Sequence, residues 1–443
     1  MTAVDNRPEP SIVPRSEHVI SRENISENAL KVLYRLRKAG HQSYLVGGGV
    51  RDLLLGREPK DFDIATDASP EEVRRLFRNC RLIGRRFRLA HVLFGREIVE
   101  VATFRGQAGG EQTGALRHDE SGRILADNVF GTIEEDAWRR DFTINALYYN
   151  IDDFSVVDYV GGLEDLREGW LRLIGEPVQR YREDPVRMLR AVRLAAKLGF
   201  RIHPDSEAPL FELGPLLEDV PASRLFDESL KLFLSGHGVA SFELLRHYDL
   251  FRHLYPRTEE ALSHEEQNFP LTLLLRALEN TDRRLAEDKP VTPAFLYAAL
   301  LWEPVRQRAR ELSVEDQISM HEALHTAAGL EIAKQARHTA IPRRFSLPMR
   351  EIWELQFRLE QRTGKRPLRL LEHPRFRAAY DFLVLRAESG EAEPELARWW
   401  TEFQELPEAE QRARVRPAGA RSRRPRRRRS RRRPAPAGDG SGS

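Results

Sequence analysis

Asp61 and Asp63 flank Phe62 in the stretch Tyr44 to Ala65, which reads YLVGGGVRDLLLGREPKDFDIA. Residues two apart on a strand point to the same face. The spacing therefore predicts two carboxylates side by side, with Phe62 and Ile64 turned into the core. Such a pair suits magnesium, which binds one or two protein carboxylates together with phosphate oxygens. The three glycines Gly47, Gly48 and Gly49 precede the acids, and glycine lets the backbone approach a phosphate closely. A helix opening there would add free N–H groups and a favourable dipole. Three glycines alone mark ordinary turns, and a lone pair of acids marks a solvated loop. With Arg51 one turn into the helix and Lys60 directly before the first acid, the combination is far more specific.

Two further clusters carry chemistry. Arg139, Arg140 and Asp141 stand together, followed by Asn145 and an apolar run. Two arginines there would hold a triphosphate or a ribose, and Asp141 would be a third carboxylate near the metals; an ion-pair cluster at a helix start is the alternative. Downstream, REDPVRMLRAVRLAAKLGF runs from Arg182 to Phe200, with Pro185 suited to a helix start. Arg187, Arg190 and Arg193 recur every third residue and cover one flank, while Met188, Leu189, Val192, Ala195 and Ala196 form an apolar one. That row reads either as a solvated face or as a base reader. A carboxylate at Asp184 accepts from an exocyclic amine, and a guanidinium at Arg187 donates to the adjacent ring nitrogen. The pair would select adenine and cytosine against guanine and uracil, without separating the first two.

The elements that must position these residues are legible. Ser26 caps a helix ending near Gly40, and Tyr44–Val46 is a buried strand. Ser69 followed by Pro70, Glu71 and Glu72 starts another helix. Leu89–Phe94 and Ile98–Phe104 form a hairpin across Gly95-Arg96-Glu97. A polar, glycine-rich stretch from Gly106 to Asp127 reads as a loop. Beyond Gly199 the pattern is wholly helical, and after Leu406 it turns to Arg, Pro, Ala, Gly and Ser, which bury no core.

A chain of 443 residues holds several domains. Its single cysteine, Cys80, excludes a disulfide framework and fits a reducing cytoplasm. No stretch is apolar enough to span a bilayer, and the N-terminus has no signal-peptide core. The net charge of +3 is uneven: thirteen arginines and one acid after position 410 carry +12, leaving −9 for the remainder. An acidic body with a basic tail points to a polyanionic partner, nucleic acid before a membrane surface.

The GGG…DFD stretch, together with RRDFTINAL and EDPVRMLRAVR, resembles the class II nucleotidyltransferase superfamily, which includes bacterial poly(A) polymerases and CCA-adding enzymes. The resemblance runs from about Tyr44 to Phe233, and more loosely through the C-terminal helices. It implies an α+β chain: an arm over 1–25, a mixed α/β transferase head over 26–155, a helical neck over 156–235, an all-helical RNA-binding body over 236–405 and a disordered arginine-rich tail over 406–443. It also implies Mg²⁺ on Asp61 and Asp63, with Asp141 completing the acidic centre and Glu100 competing for that place. Gly48 and Arg51 would contact the triphosphate, and Arg140 the triphosphate or ribose. Asp184, Arg187, Arg190 and Arg193 would hold the nucleotide base.

Three features lean toward the bacterial poly(A) polymerases within the superfamily. LIGRRF with LAHV resembles a segment marking them, as do PASRLFDESLKLF and HPRFRAAYDFLVLRA, and an arginine-rich tail fits sequence-independent RNA capture. The implied substrates are ATP and RNA 3′ ends, in the cytoplasm, with the tail bound to RNA or protein and membrane association open. The rivals are a CCA-adding tRNA enzyme and a non-catalytic RNA-binding protein on a degenerate transferase fold.

Overall fold

The computed structural model describes residues 9–84, 88–106, 116–118, 124–127, 129–263 and 272–415. Arg85, Arg86 and Phe87 of the LIGRRF segment, much of the stretch after Gly106 and the tail beyond Val415 lie outside them.

The first half builds one sheet. In chain order the elements are β1 (Ser11–Val13), α1 (Glu27–Lys38), β2 (Ser43–Val46), α2 (Gly48–Leu54), β3 (Asp63–Thr66), α3 (Pro70–Leu76), β4 (Cys80–Ile83), β5 (Leu89–Phe94) and β6 (Glu97–Thr103). There follow β7 (Leu116–His118), β8 (Ile124–Asp127), α4 (Ile133–Arg139), β9 (Leu147–Asn150) and β10 (Val156–Asp158). Eight strands pair in the order β1-β10-β9-β2-β3-β6-β5-β4, with β7 and β8 pairing separately. Every neighbour in the large sheet is antiparallel except β3 and β6. A parallel pair needs a crossover, and here α3 with the β4–β5 ladder supplies it. The consequence is functional: the register sets Asp63 directly beside Glu100.

Local chemistry explains the helix ends. Ser26 accepts from the Ala29 N–H at 3.0 Å, and Ser69 and Glu72 form a reciprocal capping box at α3. Gly47 sits at φ +77° and turns the chain from β2 into α2, a backbone conformation that a side chain would strain. Leu45, Val46, Val50, Ile64 and Val101, all at most 1% exposed, fill the core beneath that turn. Burying each such side chain contributes about 1.5–3 kcal/mol.

Three expectations need correction. Residues 11–13 are not a loose arm: Ser11, Ile12 and Val13 pair antiparallel with Asp158, Val157 and Val156 as an edge strand. The two acids do not share a strand either, because β3 begins at Asp63 and Asp61 sits in the exposed approach to it. Arg139–Asp141 lie at the end of α4, not at a helix start, and lead into a short 3-10 turn over Thr143–Asn145.

The chain then turns helical: α5 (Gly162–Glu168), β11 (Trp170–Leu171), α6 (Pro177–Glu183), α7 (Val186–Leu198), β12 (Arg201–Ile202), α8 (Pro204–Glu207), α9 (Leu210–Leu213), α10 (Ala222–Phe233), α11 (Gly238–His247), α12 (Phe251–Leu254), α13 (Pro256–Leu262) and α14 (Leu273–Ala286). One strand interrupts the helical run expected after Gly199, since β12 pairs parallel with β11. Met188, Leu189, Val192 and Ala195 on α7 are buried as their spacing implies.

Helices continue to Arg414, and the chain divides into two compact units, residues 1–351 and 352–443. The second has its own core around Leu355, Leu359, Leu383, Trp400 and Phe403, with the Trp400 indole N–H donating to the Leu359 carbonyl at 2.7 Å. Part of the segment expected to lack structure belongs to it. Glu408–Arg414 is helical, and Val415 is buried and accepts from the Gly364 N–H at 2.8 Å. Glu408 and Glu410 at the start of that helix, with Arg412 and Arg414 at its end, complement the helix dipole. Among the described residues no helix is long and apolar enough to cross a membrane.

Candidate active site

The parallel β3–β6 pair places the Asp63 and Glu100 carboxylates on adjacent strands, about 4.8 Å apart in the sheet. Both line a cleft of about 350 Å³ whose other polar walls are Arg105, Asp136, Arg139, Arg140 and Arg190. Burial first, then the charges of Glu100 and Asp61, push the Asp63 carboxyl up to about 6, against a smaller opposing pull from Arg140. Burial and like-charged neighbours thus favour the neutral carboxyl over the carboxylate here.

The glycine turn packs onto this pair. A Cβ at Gly47 would lie 3.8 Å from an Asp63 carboxylate oxygen and 3.8 Å from an Arg140 guanidinium nitrogen. At Gly49 it would meet the Asp61 carbonyl at 3.3 Å, and at Gly48 the Arg51 guanidinium at 3.4 Å. The three glycines thus converge with Asp61, Asp63, Arg51 and Arg140. Side chains at these positions would crowd those groups.

Arg140 is held rigidly. Its Nε and one terminal nitrogen donate to Asp136, Nε also donates to the Tyr148 hydroxyl at 2.9 Å, and the Tyr148 hydroxyl donates to Asp136 at 2.6 Å. Burial alone would lower the Arg140 pKa, but Tyr148 and Asp136 outweigh it and hold the guanidinium charged. Arg51 is less available than expected. It is buried, donates twice to Asp52, and sends its remaining arm to the Asn145 side chain at 2.7 Å. Lys197 of α7 completes this network by reaching Asp52 at 3.2 Å, and so ties the neck to α2.

Asp141 does not line the cleft. Its carboxylate pairs with Arg190 at 2.5 Å and accepts from the Phe142 N–H and the Asn145 amide. Burial would raise its pKa, yet Arg190, the Phe142 N–H, Arg187 and Asn145 together hold it below the usual carboxylate range. Arg190, in turn, does line the cleft, raised in pKa chiefly by Asp141. Arg193 lies behind it, its pKa lowered first by burial. Glu100 carries a different neighbour: the His91 ring nitrogen of β5 stands 3.1 Å from its carboxylate.

Asp184 and Arg187, expected to read the base, are engaged by partners that sequence reasoning missed. Both Asp184 oxygens accept from Arg224 of α10 at 2.7 Å. Arg187 is buried and donates to the Arg180 carbonyl at 2.6 Å and to Glu183 at 3.1 Å. Arg180 spans back to the head, donating to the carbonyls of Arg139 and Arg140 at 2.9 and 2.6 Å. Burial, with Arg187 beside it, lowers Arg180 to about 10. The spacing of Arg180 and Glu183 on one helix face was readable, but nothing local signals a carbonyl forty residues upstream.

Comparison with known proteins follows this geometry. Residues 43–172 match a family model described as the poly A polymerase head domain, 199–262 a probable RNA and SrmB-binding site of polymerase A, and 316–434 an arginine-rich C-terminus of polymerase A. The chain is 54% identical to poly(A) polymerase I of Escherichia coli O157:H7, over 90% of this chain and 86% of that one. It is 47% identical to poly(A) polymerase I of Haemophilus influenzae over 91% and 90%. Similarity to a CCA-adding enzyme of Bacillus subtilis is 36% and covers 56% of this chain and 61% of that one. Among solved structures, a tRNA-processing enzyme in an apo form aligns at a TM-score of 0.60 with 24% identity, over 88% of this chain and 94% of that one, which shows a shared fold. At such identity over nearly the whole length, on a head whose glycine turn, acids and arginines converge as described, the chain belongs to the family of bacterial poly(A) polymerases.

Proposed function

We infer that this chain is a polynucleotide adenylyltransferase, adding AMP from ATP to RNA 3′ ends without a template and releasing pyrophosphate. The observation that carries the reading is the cleft in which Asp63 and Glu100 face Arg139, Arg140 and Arg190, on a chain so similar to poly(A) polymerases I. Tail addition of this kind would act in mRNA polyadenylation and RNA turnover, in the cytoplasm.

Asp61 and Asp63 are proposed as the Mg²⁺ ligands. The donor chemistry would suit that ion, since Asp61 and Asp63 offer hard carboxylate oxygens and burial with charge crowding raises the Asp63 pKa. Bound Mg²⁺ would lower the pKa of the RNA 3′-hydroxyl and neutralise triphosphate charge. Glu100 is favoured over Asp141 as the third carboxylate, because it lies beside Asp63 while Asp141 is spent on Arg190. Asp141 is then a positioning residue for Arg190.

Arg140 and Arg190 bind the triphosphate oxygens and orient the α-phosphate for in-line attack by the 3′-oxygen. Gly48 leaves the backbone open to the phosphates, and Arg51 braces the turn through Asp52 and Asn145. Arg187 donates to the ring nitrogen of the base, with Asp184, held by Arg224, on the amine side. Arg193 supports this row from behind. Functionally the head over 26–155, joined by the strand at 11–13, transfers the nucleotide; the neck over 156–235 reads the base, the body over 236–405 grips RNA, and the basic tail captures RNA or a protein.

The test offers an unstructured RNA and a tRNA lacking its CCA end, each with ATP or CTP. Long A-only extension of both supports this reading. Extension confined to the tRNA, using CTP and stopping after CCA, would make the chain a CCA-adding enzyme. Undetectable extension of any RNA would leave a non-catalytic RNA-binding protein.

A further inference from the structure

Two guanidinium groups with different tasks must work at a set separation. Arg187, on the base side, lies in the first turn of α7, while Arg140, on the phosphate side, follows the end of α4. Arg180 of α6 spans the gap between them, within one compact unit. One of its terminal nitrogens donates to the carbonyls of Arg139 and Arg140 at 2.9 and 2.6 Å, and the other donates to Glu183 at 2.8 Å. The same Glu183 oxygen accepts from Arg187 at 3.1 Å. That Arg187 nitrogen also donates to the Arg180 carbonyl at 2.6 Å. Arg180 therefore grips Arg187 twice, once through its own backbone and once through Glu183.

This path is short, charged and largely buried, with the Arg180 and Glu183 side chains 13% and 16% exposed. Hydrogen bonds between ionised groups are roughly twice as strong as neutral ones. Its two ends are held independently of each other. Asp136 and Tyr148 fix the Arg140 guanidinium. At the far end, the second terminal nitrogen of Arg187 has no hydrogen-bond partner among the described residues, so it is available to a base. Arg190 on Asp141 and Lys197 on Asp52 also join α7 to the head, but Arg180 is the tie that reaches the Arg140 backbone. Arginine suits such a span, because its planar fork bonds two partners at once, whereas a lysine ammonium is a point charge on a flexible stem.

A nucleoside triphosphate anchored at both base and phosphates gains from the two contacts together only when their separation matches the ligand. We propose that Arg180, with Glu183, is a positioning residue for nucleotide selection, setting the separation between the guanidinium that reads the base and the one that holds the phosphates. The inference rests on the nucleotide-transfer reading above and deepens it. Neither side chain needs to touch ATP. Adenine presents a donor and then an acceptor to Asp184 and Arg187, so ATP uses both anchors. Guanine presents the reverse order, so GTP uses the phosphate anchor alone. Loosening the span should therefore cost ATP its advantage and leave GTP where it was.

The experiment compares the unaltered full chain with Arg180→Lys, Glu183→Gln and the two combined. On one RNA, kcat/KM is measured for single AMP and GMP incorporation, together with the inhibition constant of tripolyphosphate, which carries phosphates and no base. Arg180→Lys is expected to lower kcat/KM for ATP about tenfold, while the value for GTP and the tripolyphosphate constant stay within about twofold. The combined variant should lose about as much as the more damaging single change, because both cut one path. Equal losses for ATP and GTP, or weakened tripolyphosphate inhibition, would reduce Arg180 to a structural tie and overturn the proposal. Additive losses from the two changes would overturn the shared path. Partial unfolding does not mimic the expected pattern, since it removes all three readouts together. If the unaltered protein extends no RNA, the transferase reading fails. Displacement of a fluorescent ATP analogue by ATP, GTP and tripolyphosphate then decides the positioning role by the same ratios.

Discussion

Asp63→Asn should make the metal-free protein more stable at neutral pH while abolishing AMP transfer. The Asp63 carboxyl is pushed from 3.8 to about 6, by burial and by Glu100 and Asp61. At about 1.36 kcal/mol per pKa unit, the ionised form costs the folded state about 2–3 kcal/mol. The sign follows from proton linkage. The folded protein binds the proton more tightly than the unfolded chain, so the penalty is absent below about pH 4 in both states. It grows as pH rises toward 6 and is fully present above. An asparagine carries no such penalty, so the variant's advantage should open between pH 4 and 6 and then stay constant. Urea titrations at pH 4, 5, 6 and 8, without divalent metal, read this directly in the first unfolding transition. Mg²⁺ should then reverse the order, since binding to the folded state of the unaltered protein alone stabilises it by mass action. A variant equally or less stable at pH 8, or a gap that ignores pH, would refute the electrostatic account of this site.

The roles of the other acids separate kinetically. Glu100→Gln should lower kcat by at least about 100-fold with little change in KM for ATP, whereas Asp141→Asn, which loosens Arg190, should chiefly raise that KM; the reverse pattern in steady-state kinetics would restore Asp141 to the metal centre. Arg224→Ala removes both contacts to Asp184, and should narrow the preference for ATP over GTP in single-nucleotide incorporation; an unchanged ratio would take Asp184 out of base selection. Truncation after Val415 removes the eleven arginines beyond Arg414, and should flatten the salt dependence of RNA binding. The same slope with and without the tail would assign it to another partner.

Sequence alone pointed to nucleotidyl transfer and to most of the frame that carries it. Gly47–Gly49, Asp61, Asp63 and Arg140 are legible because each answers a local demand: backbone room, paired charge, proximity to a turn. The caps at Ser26 and Ser69 and the β5–β6 hairpin are local in the same way. Tertiary structure decided what lies beside what. Whether Glu100 or Asp141 stands next to Asp63 depends on the parallel register of β3 with β6, set by a thirty-residue crossover and invisible in either strand. Arg224 on Asp184, Arg180 on the Arg139 and Arg140 carbonyls, and Lys197 on Asp52 join positions 40 to 145 residues apart. No spacing rule encodes such contacts, because they arise only when helices pack and buried charges must find partners. The edge strand at Ser11–Val13 belongs to the same class. Its short, exposed sequence has no strand signal of its own, and it is ordered by the free edge of β10.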